Sequence, residues 1–221
     1  MSDAKITTVI FDLDGTLLDT LEDLKNATNY ALKTCGMPER TLEEVRRFVG
    51  NGVKQLMCRA VPGGEDNPQF ERAFDIFKEY YGVHCNDMTR AYDGIPELLQ
   101  ELKNNGYAMA IVSNKIDSAV QDLNNRYFSQ VEVAIGDREN LRRKPQPDSV
   151  FLALEELGRT KEEAVYVGDS DVDLATAKNA GLPCISVLWG FRDKAFLIEH
   201  GAQTFVETPM EIADVLKQMN Q

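Results

Sequence analysis

Asp12 and Asp14 stand two residues apart in Asp12-Leu13-Asp14-Gly15-Thr16, directly after an apolar, β-branched stretch. In an extended chain that spacing points both carboxylates to one side. Two carboxylates held close repel each other unless a cation sits between them. Asp169, in Gly168-Asp169-Ser170-Asp171-Val172-Asp173, follows another apolar stretch and completes an all-oxygen set that suits octahedral Mg2+. A metal bound this way also holds phosphate oxygens. Ser113, in Ser113-Asn114, offers a hydroxyl, and Lys144, in Lys144-Pro145-Gln146-Pro147, a second positive charge, both useful on a phosphoryl group. Gly15 lets backbone N–H groups approach an anion closely. A carboxylate beside Mg2+ and phosphate can serve as a nucleophile and form an aspartyl-phosphate.

These residues need a scaffold that gathers them. Strands are expected over 6–11, 107–112, 131–135, 164–167, 184–188 and 204–206. Between and after them, helices are expected over 95–105, 116–124, 148–157, 171–180 and 209–219. Strands alternating with helices argue a doubly wound, Rossmann-like parallel sheet covered on both faces. In such sheets ligands bind outside the carboxyl ends of the strands, which is where Asp12, Ser113 and Asp169 fall. Lys144 comes from the loop after the third strand. The first strand is followed by a block with no strand signal and helices over 20–35, 41–48, 53–60 and 68–81, the second opened by a Thr41/Glu44 capping box. The expected organisation is an α/β core of 1–15 and 90–221 with an all-helical insertion of 16–89.

The 221 residues carry 24 Lys and Arg against 36 Asp and Glu, a net charge of −12. The one tight basic run is Arg142-Arg143-Lys144, so no nucleic-acid partner is expected. No apolar run approaches the roughly 18 residues of a membrane span, and the N-terminal apolar stretch is too short for a signal-peptide core. Cys35, Cys58, Cys85 and Cys184 show no C-x-x-C spacing, which excludes a zinc ribbon or thioredoxin-like motif. The expectation is a cytoplasmic protein, monomer or homodimer, with no membrane partner and reduced thiols.

D-L-D-G-T-L at 12–17, Ser113 after an apolar strand, Lys144 in K-P-x-P and G-D-S-x-x-D at 168–173 together resemble the haloacid dehalogenase-like phosphohydrolases, in family order and over the whole chain. The resemblance implies a Mg2+-dependent phosphatase of a small phosphorylated metabolite, with the helical insertion as its cap. It implies Asp12 as nucleophile and metal ligand, and Asp14 as general acid/base whose main-chain carbonyl completes the metal shell. Ser113 anchors phosphate, with Thr16 and Asn114 beside it, and Lys144 shields charge on nucleophile and phosphoryl group. Asp169 is a direct metal ligand, and Asp173 belongs to the metal site as well, either as a further ligand or from just outside the ligand set. True dehalogenases of this superfamily lack the second aspartate, present here as Asp14.

Arg46-Arg47-Phe48-Val49-Gly50-Asn51-Gly52 resembles the R-x-W-V-G-N-G cap segment of the phosphoglycolate phosphatases, with Phe48 in place of Trp. On a helical wheel Leu42, Val45, Phe48 and Val49 form the apolar face; Arg46 borders it and Arg47 points away. Arg46, Gly50 and Asn51 are the resulting substrate-binding candidates in the cap, and 2-phosphoglycolate the first substrate. Sugar-phosphate phosphatases and pyrophosphatases share much of the pattern and are alternatives, as is the sugar-phosphate mutase branch, which usually lacks the Thr at position 16 and has a different cap. A phospho-receiver module also clusters Asp, Ser/Thr, Lys and Mg2+, but D-x-D-G-T and the inserted block argue against it.

Overall fold

A computed structural model describes residues 5–50 and 52–221. The chain opens with β1 (Thr8–Phe11) and β2 (Leu18–Asp19) and runs through α1 (Leu21–Thr34), α2 (Leu42–Phe48), α3 (Val53–Ala60), α4 (Phe70–His84) and β3 (Arg90–Ala91). Alternation follows: α5 (Ile95–Asn104), β4 (Ala108–Ile116), α6 (Asp117–Tyr127), β5 (Val133–Asp137), α7 (Asp148–Leu157), β6 (Ala164–Gly168), α8 (Asp171–Ala180), β7 (Cys184–Val187), α9 (Lys194–Glu199), β8 (Thr204–Val206) and α10 (Pro209–Met219). Contacts divide it into two compact units, Leu18–Arg90 and the remainder. No helix among the described residues is long and apolar enough to cross a membrane.

The larger unit is a six-stranded parallel sheet in the order β5-β4-β1-β6-β7-β8. Its inner strands read as continuous apolar runs because helices cover both faces. Ile10, Val112, Ile135 and Tyr166 from the strands pack with Val150 and Leu154 of α7 and Ala177 of α8. Central β1 sets the register: Phe11 lies opposite Ile111 on one side and Val167 on the other. Asp12 is therefore one residue beyond that level, and Ser113 and Asp169 two.

The smaller unit is helical. Leu24, Ala27 and Ala31 of α1 pack with Val45, Leu56, Met57, Phe70 and Phe77. Asp23 is buried but satisfied, accepting from the N–H groups of Met88 (3.0 Å) and Thr89 (2.8 Å). Arg59 donates to the carbonyls of Phe48 (2.7 Å) and Gly50 (3.2 Å), fixing the turn after α2.

Several boundaries depart from the sequence reading. β1 begins at Thr8, not at Ile6, because the Ile6 N–H and C=O bond the Asn220 side chain (2.7 and 2.9 Å) instead of a neighbouring strand. The block expected to lack strands holds Leu18–Asp19, which pairs with Arg90–Ala91. α4 starts at Phe70, after Asn67 Oδ1 accepts from Gln69 N–H (2.9 Å), and runs on to His84, where Tyr80 and His84 stack one turn apart. Leu42, expected on the apolar face of α2, is 42% exposed. α9 was not anticipated; Asp193 caps it by accepting from Phe196 N–H (2.9 Å).

The largest difference lies at β4, expected to stop at Val112. It continues to Ile116 with a register irregularity: Val112 pairs with Ile135 and Ile116 with Asp137, so four steps on β4 answer two on β5. Bulges of this kind re-aim side chains, and this one carries Ser113, Asn114 and Lys115.

Candidate active site

The ends of β1, β6 and β7, the irregular stretch of β4 and the loop after β5 meet here. Asp12 follows β1 and its N–H bonds Val167 O (2.9 Å), which locks it against β6. Lys144 reaches in from the loop after β5. Its Nζ lies 2.6 Å from Asp12 Oδ1, 2.8 Å from Asp173 Oδ1 and 3.0 Å from the Tyr166 hydroxyl. Tyr166 donates onward to Asp173 Oδ1 (3.0 Å). Asp173 Oδ2 accepts from Ser170 N–H (3.1 Å) and Ser170 Oγ (2.6 Å), a capping box at the start of α8. Both oxygens of Asp173 are thus engaged by the protein.

Asp169 is 1% exposed, and its Oδ2 accepts from Phe191 N–H (2.6 Å). Two glycines make room for it. A Cβ on Gly15 would stand 2.5 Å from Asp169 Oδ2, and one on Gly190 2.3 Å from Asp169 Cβ. Gly15 also has φ +90, which side-chain-bearing residues rarely adopt. Trp189 Nε1 donates to Thr16 O (3.0 Å), pinning the loop that carries Asp14.

Oxygens of Asp12, Asp169 and Asp173 all lie within 4.8 Å of one another. Burial pushes the Asp12 carboxyl well above the usual carboxylate range; Asp173 adds to that and the Lys144 ammonium opposes it. Burial, then Asp173, pushes Asp169 up to about 7, against the pull of Phe191 N–H. Burial disfavours the Lys144 ammonium, yet Asp12 and Asp173 outweigh it and hold its pKa well above the ordinary lysine value. One ammonium against three carboxylates leaves a deficit of positive charge in a buried place. An oxygen-ligating divalent cation matches that deficit, so the residues present fit a metal site.

The other expected residues fall as follows. Asp14 turns its carboxylate to Lys115, with Oδ1 3.1 Å from Nζ. Ser113 is buried, and its Oγ accepts from Lys115 N–H (3.2 Å). Asn114 applies its amide to the backbone of Lys144, donating to the carbonyl (3.0 Å) and accepting from the N–H (2.9 Å). Thr16 is buried, and its Oγ1 has no hydrogen-bond partner among the described residues. In the helical unit Arg46 is half-buried, whereas Arg47 is exposed and pairs with Glu43 (3.2 Å). Gly50 and Gly52 have φ +119 and +85, which only glycine adopts readily. Asn51 lies outside the described residues.

Residues 9–187 match the family described as haloacid dehalogenase-like hydrolase. The chain belongs to that family. This haloacid dehalogenase-like hydrolase is 33% identical to the phosphoglycolate phosphatase of Pseudomonas fluorescens, over 96% of the chain and 77% of that protein. It is 31% identical to the N-acetylmuramic acid 6-phosphate phosphatase of Pseudomonas aeruginosa, over 98% and 97%. A Lactobacillus delbrueckii subsp. bulgaricus structure, itself a candidate phosphoglycolate phosphatase, superposes with a TM-score of 0.92 at 34% identity, covering 96% and 98%. The hydrolase is a phosphatase.

Sequence reasoning did not single out Lys115 or Tyr166 as parts of this site. Lys115 directly follows Ser113-Asn114, and Tyr166 is the one hydroxyl in the aliphatic run Ala164–Gly168. Only the first was a usable signal, since a tyrosine in a buried strand ordinarily packs as an aromatic.

Proposed function

We propose that this phosphatase hydrolyses a small phosphorylated metabolite, with 2-phosphoglycolate as first candidate, through an aspartyl-phosphate on Asp12 and with Mg2+ as cofactor. The observation that carries the reading is Lys144 Nζ at 2.6 Å from Asp12 Oδ1 within a buried cluster of three carboxylates. Asp12, Asp169 and the main-chain carbonyl of Asp14 would hold the metal, while Asp173, its oxygens engaged by Lys144, Tyr166 and Ser170, keeps Lys144 in place. When bound, Mg2+ would neutralise charge on the phosphoryl oxygens and on the carboxylates around it.

Asp12 attacks phosphorus with one oxygen; the new O–P bond forms as the ester O–P bond breaks. Asp14 gives its proton to the leaving oxygen, then takes one from the water that attacks the aspartyl-phosphate, so Asp12 and phosphate are released. Ser113 and Lys144 hold the phosphoryl oxygens, with the buried Thr16 hydroxyl beside them, and Asn114 fixes Lys144 through its backbone. The helical unit, as a cap, supplies Arg46, Gly50 and Asn51 to the rest of the substrate.

A second reading, a sugar-phosphate phosphatase, is favoured by the match to the muramic acid phosphate enzyme over 97% of its length. Both substrates named by these relatives carry a carboxylate as well as a phosphoryl group, which an arginine such as Arg46 suits. Phosphate release from a panel of phosphorylated metabolites with Mg2+ tests this. A highest kcat/KM on 2-phosphoglycolate supports the first reading, and one on N-acetylmuramic acid 6-phosphate supports the second. Isomer formation with little free phosphate, or one phosphate per protein, contradicts both.

A further inference from the structure

We infer that Lys115 is a positioning residue: it holds Asp14 in the orientation from which that carboxyl serves the leaving group. Four observations build the case. Lys115 Nζ lies 3.1 Å from Asp14 Oδ1, and the lysine side chain is only 8% exposed against 21% for the aspartate. An ammonium withdrawn from water this far is held for a local purpose, because a solvated lysine loses less. The lysine rides on the β4 irregularity, which directs the Ser113–Lys115 segment away from regular pleating.

That segment is also fixed. Lys115 N–H donates to Ser113 Oγ (3.2 Å), and Asp117 Oδ1 accepts from Gly136 N–H on β5 (2.8 Å). Packing there is close: a Cβ on Gly136 would come within 2.4 Å of Asp117 Cα and 2.7 Å of Lys115 O. On the other side, Thr16 N–H and Leu17 N–H both bond Leu13 O, and Trp189 bonds Thr16 O. Two braced backbones thus present Asp14 and Lys115 to each other.

A general acid/base must offer one oxygen to the same place in both halves of the reaction. Lys115 engages Oδ1 of Asp14, which leaves Oδ2 for the ester oxygen and later for water. Without the ammonium, Asp14 rotates among its staggered conformers and the proton arrives late. The inference rests on the role given to Asp14 above, and its consequence is specific. Esters with a poor, alkoxide leaving group need the proton, whereas p-nitrophenyl phosphate loses a stable phenolate without it.

The test compares wild type, K115M, K115R and D14N on an alkyl phosphate and on p-nitrophenyl phosphate. The readout is kcat/KM, which reports the step that expels the leaving group. D14N is expected to lower the alkyl value by about 100-fold or more and the aryl value far less. K115M is expected to follow the same pattern at about tenfold on the alkyl ester, within about threefold on the aryl ester. K115R, which keeps a cation, recovers part of the alkyl loss. Equal losses on both esters in K115M, beside a leaving-group-dependent D14N, overturn the inference and assign Lys115 to the phosphoryl group or to folding. A D14N enzyme with no dependence on the leaving group overturns the role of Asp14 itself, and the inference with it.

Discussion

Lys144 Nζ lies 2.6 Å from Asp12 Oδ1 although 132 residues separate the two in the chain. Both side chains are withdrawn from water, so the pair is a costly construction that a hydrophobic pair of equal size would match in stability. Its value is positional. The lysine is held at its tip by Asp12, Asp173 and Tyr166 and at its backbone by Asn114, and so meets the nucleophile in one geometry.

Ca2+ is expected to bind this site and inhibit. It accepts up to about eight oxygens and takes both oxygens of one carboxylate, which leaves Asp12 none with which to attack. Titrating Ca2+ into a Mg2+-supported assay should lower turnover progressively. Full activity after exhaustive chelation, with no metal returned, would sink the metal-dependent account.

Arg46→Ala separates specificity from chemistry. It should lower kcat/KM for 2-phosphoglycolate by about 2 kcal/mol or more, the loss of a charge-assisted contact, and a plain aryl phosphate far less. Equal loss on both would instead give Arg46 a part in folding or closing the helical unit.

Gly190→Ala places a Cβ 2.3 Å from Asp169 Cβ and 2.5 Å from Gly15 O. Something must shift, at about 1–3 kcal/mol, and the Asp169 hydrogen bond to Phe191 N–H shifts with it. The apparent affinity for Mg2+ should fall by about tenfold or more, as it does when a ligand's support is disturbed. An unchanged Mg2+ titration would show that Asp169 tolerates displacement.

Asp117 accepts from Gly136 N–H and stands 2.7 Å from Arg138 Nε. Burial opposes its charge, but Gly136 N–H and Arg138 outweigh it and hold its pKa below the usual carboxylate value. A lowered folded pKa contributes stability above the unfolded pKa of about 4, lost as pH falls through the folded value. Asp117→Asn should therefore cost about 1 kcal/mol near neutrality, discounted for partial exposure, and nothing in strong acid. Melting curves of both proteins across that range check it; a constant difference at every pH would contradict the charge argument.

The helices α7, α8 and α10 were legible to the residue because local chemistry ends them: Gly158 and Gly181 in left-handed conformation, Ser170 as a cap, Pro209 in a first turn. Asp12, Ser113 and Asp169 were legible as candidates because each is a polar residue that follows an apolar run, and Lys144 because it stands in the K-P-x-P frame. The extension of β4 was not, since Ser113-Asn114-Lys115 reads as the start of a loop and only pairing with β5 makes it strand. Nor was the role of Asn114, which depends on a backbone 30 residues away. Tyr166 packs as a core aromatic and bonds as a polar group, and only the fold shows the second part.

The central claim is a covalent phosphoryl group on Asp12. Wild type mixed with Mg2+ and its best substrate, quenched in acid within a turnover and digested, should yield the peptide containing Asp12 heavier by one phosphoryl group. Asp12→Asn should show no such species and lose at least about 10³ in turnover, roughly 4 kcal/mol of barrier. A phosphoryl group found on another residue, or Asp12→Asn turnover within tenfold of wild type, would contradict the account.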